Sequence, residues 1–151
     1  WARRLLGLTG LSLGSGVFVI CYFLFHRISE PLIFALLLAL TGFFADLTMP
    51  SAWAVCQDIG RRYAAIVAGF MNMVGNLGGT LASYITGRIL SHSLQDHGAS
   101  LGVSIDSLSA AQKAAGQLAG YETSFLVFAA AYAVGALCWL FVDASRPVAP
   151  D

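Results

Sequence analysis

The sequence predicts an all-α membrane protein with four transmembrane helices. Its 151 residues are 58% hydrophobic and only 11% charged, whereas soluble domains carry roughly 25% charged residues. Mean hydropathy is +0.75, so a bilayer is the natural solvent of this chain. The apolar residues also gather into four runs close to the ~20 residues that one helical crossing needs. Eight basic and eight acidic residues give a net charge of +0. A nucleic-acid binder would show a basic face, so no nucleic acid is expected as a partner.

The first run, residues 5–25 (LLGLTGLSLGSGVFVICYFLF), holds no charge. It exceeds the ~7–15 residues of a signal-peptide core, and no small-residue cleavage site closes it. It therefore reads as a crossing, and the start at Trp1 leads to the expectation of a portion of a longer chain. The second run, about 32–55, contains Asp46 and, four residues on, Pro50. Pro50 has no N–H for the Asp46 carbonyl, so a kink is expected there. The third run covers about 63–89 and the fourth 124–142 (SFLVFAAAYAVGALCWLFV). HRISEP and CQDIGRR are short connections, while 92–122 reads as a long polar loop with a short amphipathic helix over 109–119.

Four crossings put both ends of the chain on one side, with Arg3, Arg4, Arg61, Arg62 and Arg146. Arg27, Arg88 and Lys113 fall on the other. The excess of arginine near short loops places both ends and the DIGRR turn in the cytoplasm and the long loop outside. Cys21, Cys56 and Cys138 lie in apolar runs without paired spacing and read as small buried residues. His26, His92 and His97 lack metal-ligand spacing and read as surface residues. No nucleophile–base pair, phosphate loop or metal cluster is visible, so no enzyme is expected.

On a helix at 100° per residue, Ala65, Gly69, Asn72, Asn76, Gly79 and Ser83 form one small, polar stripe of the third run. Bulky apolar residues such as Phe70, Val74, Leu77 and Leu81 fall on the opposite face. An amide facing hydrocarbon without a partner is unfavourable, so the stripe must look inward. Spacing alone leaves two readings: asparagines joining closely packed helices, or asparagines lining a water-filled cavity. In the second run, Gly42, Asp46, Pro50, Trp53 and Gln57 share a face. An ionisable group within a crossing is a functional candidate by default, so Asp46 is a candidate for carrying a coupling proton or cation, against simple solvation near the interface. Asp58 can reach Arg61 or Arg62, either as a solvated anchor or as a cytoplasmic latch.

Residues 50–90 (PSAWAVCQDIGRRYAAIVAGFMNMVGNLGGTLASYITGRIL) resemble the penultimate helix pair of the major facilitator superfamily. More narrowly, they resemble the anion:cation symporter family of sugar-acid and other organic-anion carriers. The resemblance rests on Trp53, then Asp58, a short basic turn, and the run Gly69, Asn72, Gly75, Asn76, Gly79. It implies that residues 1–151 are the C-terminal part of such a transporter, with its four helices matching the last four, ninth to twelfth, of a twelve-helix fold. It further implies proton-coupled symport of a small organic anion by alternating access, with Trp53, Asn72 and Asn76 as substrate contacts. The implied partners are the anion, the lipid bilayer and the missing N-terminal half. No cofactor is implied beyond a proton or Na+ as coupling ion, and the expected location is a bacterial inner (plasma) membrane. The alternative is a small four-helix membrane scaffold or assembly protein without transport activity.

Overall fold

The computed structural model describes residues 2–28 and 30–145, which are all-helical with no strand among them. The helices are α1 (Ala2–Leu24), α2 (Pro31–Asp46), α3 (Met49–Gly60), α4 (Ala64–Ser100) and α5 (Ala110–Phe141). Single 3-10 turns, Arg61–Tyr63 and Ile105–Ser107, precede α4 and α5. Arg146, one of the arginines expected on the cytoplasmic side, lies outside the described residues.

Three helical stretches among the described residues are long and apolar enough to cross a membrane: Ala2–Leu24, Pro31–Ser100 and Ala110–Phe141. This corrects the expected count of four, because the second and third runs belong to one helical stretch. Its interruptions are short. At 47–48 the Thr48 N–H bonds the Ala45 carbonyl at 3.0 Å, one residue short of the α-helical partner. The helix therefore breaks just before Pro50, where the missing N–H calls for it. At 61–63 the chain turns back within a single 3-10 turn instead of an extended loop. Arg61 takes φ 45° there, a backbone region that suits glycine far better than a residue with a side chain. Beyond this turn α3 and α4 run side by side, with Cys56 Sγ 3.4 Å from Met71 Sδ.

The core lies between α1 and α5, where Val17, Phe18, Cys21, Phe125 and Ala129 are buried. In lipid, apolar surface alone does not drive helices together, so close fit and interhelical hydrogen bonds must do it. Both are present. Ser15 Oγ of α1 donates to the Ala129 carbonyl of α5 at 2.8 Å. A Cβ added at Gly7 would stand 2.2 Å from the Trp139 ring, and one at Gly14 would stand 2.8 Å from Tyr132. On the α2 side, Gly10 admits the Phe44 carbonyl next to the break, 2.7 Å from where its Cβ would be. Phe18 meets Tyr132 edge to face at 5.2 Å, and Phe34 of α2 stacks on Phe125 at 6.4 Å.

The polar segment 92–122 differs from its expected loop: only 101–109 separates α4 from α5. The 37 residues of α4 give it a length of about 56 Å at 1.5 Å per residue. The 32 residues of α5 give about 48 Å. Both exceed the ~30 Å hydrocarbon thickness of a bilayer, so their polar ends form a helical hairpin beyond the apolar zone. Small residues seat it, since a Cβ at Gly120 would lie 2.9 Å from the Leu90 side chain. Ser93 Oγ donates to the Gly116 carbonyl at 2.7 Å. Ser109 and Gln112 form a reciprocal capping box that starts α5.

Cys21 and Cys56 are buried as expected, whereas Cys138 is exposed on the outer face of α5. His26 and His92 are exposed and His97 is partly buried.

Candidate functional site

The middle of α4 carries the most open surface of the bundle. Residues 72–81 are exposed without exception. α4 is held at its start by α3 and at its far end by α5, and between these supports it bridges a groove of about 860 Å³. Gly75, Gly78, Gly79, Ala82 and Thr86 of α4 line one side of the groove. Leu11 and Phe18 of α1, Leu38 of α2, and Ser124, Phe125 and Tyr132 of α5 line the others. Among the described residues, no charged side chain lines it.

The polar side chains along this part of α4 bond to their own helix. Asn76 Nδ2 donates to the Asn72 carbonyl at 2.9 Å, and Thr80 Oγ1 to the Asn76 carbonyl at 3.0 Å. Ser83 Oγ donates to the Gly79 carbonyl at 3.1 Å, and Thr86 Oγ1 to the Ala82 carbonyl at 2.9 Å. Each bond reaches back four residues, the standard way for a short polar side chain to satisfy itself on a helix. The groove hydroxyl of Ser124 does the same, to the Gly120 carbonyl at 2.9 Å. The groove thus offers hydrocarbon, Ser and Thr hydroxyls bonded to their own helices, and the phenols of Tyr121 and Tyr132.

Asn72 and Asn76 stand on the flank of the groove. They lie about 60–100° around the helix from Gly75, at 100° per residue, and both are exposed. Asn76 has already committed one N–H, while no hydrogen bond engages the Asn72 amide among the described contacts. Trp53 on α3 is 44% exposed. It lies one turn before Cys56, whose contact with Met71 sets α3 beside α4, so Trp53 and Asn72 occupy neighbouring levels of adjacent helices. Trp53, Asn72 and Asn76 are all exposed, and among the described contacts none joins Trp53 to either asparagine. Asp46 is exposed at the end of α2, beyond the break and about 15 Å along the helical path from Cys56.

Asp58, Arg61 and Arg62 are at the far end of the bundle. Asp58 forms an ion pair with Arg3 of α1, and Arg3 also donates to the Ala54 carbonyl at 3.2 Å. Arg4 donates from Nε to the Val142 carbonyl beyond α5 and approaches Asp143 at 3.9 Å. Arg62 lies over the Tyr63 ring at 4.8 Å. The start of α1, the end of α5 and the α3–α4 turn therefore meet at one end, around a cavity of about 470 Å³. Sequence spacing suggested Arg61 or Arg62 as the partner of Asp58 and did not point to Arg3. A contact between residues this far apart in the chain leaves no local signature.

Among the described residues, no group of three or more His, Cys, Asp or Glu side chains is arranged to hold a metal ion. No family model, curated protein or solved structure matches this chain.

Proposed function

We propose that this chain is part of a membrane carrier of the major facilitator type, moving a small organic anion such as a sugar acid or hexuronate by proton-coupled symport. The observation that carries this reading is the open Asn–Gly face of α4, residues 72–81, within a helix apolar enough to cross a membrane. Hydrocarbon does not solvate an amide, so such a face is stable against water, a polar solute or a facing helix. The motif of Trp53, Asp58, the basic turn, Asn72 and Asn76 supports the narrower family assignment. In this reading the long stretch Pro31–Ser100, one of the three apolar enough to cross, doubles back at the Arg61–Tyr63 turn and passes the membrane twice, as the C-terminal part of a twelve-helix carrier with both ends and that turn cytoplasmic.

Trp53 supplies an apolar platform for a sugar ring and Asn72 hydrogen-bonds its hydroxyls. Asn76 contributes less, because one of its N–H groups already serves the Asn72 carbonyl. The resemblance to major facilitator carriers implies that the substrate carboxylate is bound mainly by groups of the other half of the carrier, and Asp46 is the local candidate for the coupling proton. The test is uptake of labelled hexonate, hexuronate or dicarboxylate by proteoliposomes under an imposed proton gradient. Asn72→Ala and Trp53→Ala are expected to abolish uptake at normal membrane abundance. Absence of uptake of every such anion would refute the substrate class. Loss of folded protein in both variants would instead favour a packing role for this face, as in a membrane scaffold.

A further inference from the structure

We propose that the turn between α3 and α4 is a docking site for an anionic phospholipid, with Arg62 and Tyr63 at its headgroup and the bulky face of α4 along an acyl chain. The site is independent of what the chain carries. Its local structure comes from a tight reversal. The chain passes from α3 into α4 within one 3-10 turn, Arg61–Tyr63, with Arg61 at φ 45°. Gly60 lets the two helices close directly on the turn, since a Cβ there would stand 3.2 Å from a Val67 methyl group. Arg62 and Tyr63 are both exposed where α4 begins.

No charged residue occurs in α4 from residue 64 to residue 87, so its apolar zone starts directly after Tyr63. At 100° per residue Ile66, Phe70, Leu77 and Leu81 share a face, and each is 57% exposed or more. Within a bilayer such a face meets acyl chains. Tyr63 is 41% exposed and stands at the head of this zone, where a phenol rests its ring on hydrocarbon and its hydroxyl among headgroups. The Arg62 guanidinium carbon lies 4.8 Å from the centre of that ring, so cation and ring occupy one level.

The charge of Arg62 is directed outward. Among the described contacts no carboxylate pairs with it. Asp58, the acid closest to it in the sequence, pairs with Arg3 of α1. Asp143, the other acid at this end, is approached by Arg4 and accepts from the Ser145 N–H at 3.1 Å and from its hydroxyl at 2.6 Å. Arg3, Arg4, Arg61 and Arg62 thus face two aspartates, which leaves this end with an excess of two positive charges among the described residues. A guanidinium fork matches the oxygens of a phosphodiester. The anionic headgroup therefore supplies the charge that the chain's own described acids do not, at the level where the apolar face begins.

The test titrates short-chain phosphatidylglycerol or phosphatidylcholine into the full chain in neutral-detergent micelles at low ionic strength, with the unfolding midpoint as readout. A lipid held by the folded state raises that midpoint by mass action. Phosphatidylglycerol is expected to stabilise the wild type at lower concentration than phosphatidylcholine. In Arg62→Gln the phosphatidylglycerol concentration that gives half of the effect should rise roughly five-fold, and it should also rise in Tyr63→Ala. No rise in either variant would overturn the proposal. Arg27 is an exposed arginine in the connection after α1, and Arg27→Gln should leave the concentration unchanged. An equal rise there would replace the site with general charge attraction. Inorganic phosphate at matched concentration should not stabilise the chain; if it does, the ligand is a free anion and the lipid assignment fails. A wild type with no preference for phosphatidylglycerol would contradict the site even if Arg62→Gln fails to fold.

Discussion

In α1, Gly7, Gly10 and Gly14 are buried, and a Cβ at any of them would collide with α2 or α5. In α4, Gly69, Gly75, Gly78 and Gly79 have nothing within 4 Å of the same position. Gly7, Gly10 and Gly14 recur at spacings of three and four, and Gly75 lies three and four residues from Gly78 and Gly79. The first set brings helices together. The second leaves a small, open face flanked by self-bonded asparagine and hydroxyl groups. Spacing that permits close approach is thus only a capacity, and the neighbours decide whether it is used.

The contrast can be broken by filling each set in turn. The largest effect is expected at Gly10, because its neighbour is the Phe44 carbonyl oxygen, part of the backbone and unable to swing aside. Gly10→Val should destabilise the bundle by about 3 kcal/mol, at the upper end of overpacking effects, read as a shift of the unfolding midpoint in mixed micelles. Gly120→Ala should cost about 1–2 kcal/mol, less than Gly10→Val because the nearest atom is the end of the Leu90 side chain, although Leu90 Cα follows at 3.1 Å. Gly79→Ala should have the smallest effect and the opposite sign. With no neighbour to strike, it gains helix propensity of up to about 1 kcal/mol. A loss of stability at Gly79 equal to that at Gly10 would place an unseen packing partner on α4.

Much of the fold was legible in the sequence. The apolar run 5–25 became α1, Ala2–Leu24, and the break before Pro50 followed from its missing N–H. In the 92–122 segment the helix expected over 109–119 is present as the start of α5, but the helical 92–100 and the unbroken run of α5 were read as loop, because polarity reports exposure to water and says little about backbone conformation. Ser109 and Gln112 have the spacing of a capping box, and Gly116 and Gly120 repeat at a helical interval, which marks where that helix begins and packs. Other features could not be read locally. The Arg3–Asp58 and His26–Glu122 pairs join residues far apart in the chain. For the candidate site, spacing put Asn72, Asn76 and Gly79 on one stripe, but the structure divides them, with Gly79 in the groove and the asparagines on its flank. That division depends on where α5 lies, which helix periodicity does not encode.

The central claim is that the Asn–Gly face of α4 meets water or a polar solute while its bulky face meets lipid. Single cysteines placed at residues 72, 76, 79 and 83, and at 66, 70, 77 and 81, in a background lacking Cys21, Cys56 and Cys138, test it in intact membranes. A charged, membrane-impermeant thiol reagent should label the first set and spare the second. Equal protection of both sets would contradict the account and make the asparagine face a buried helix contact.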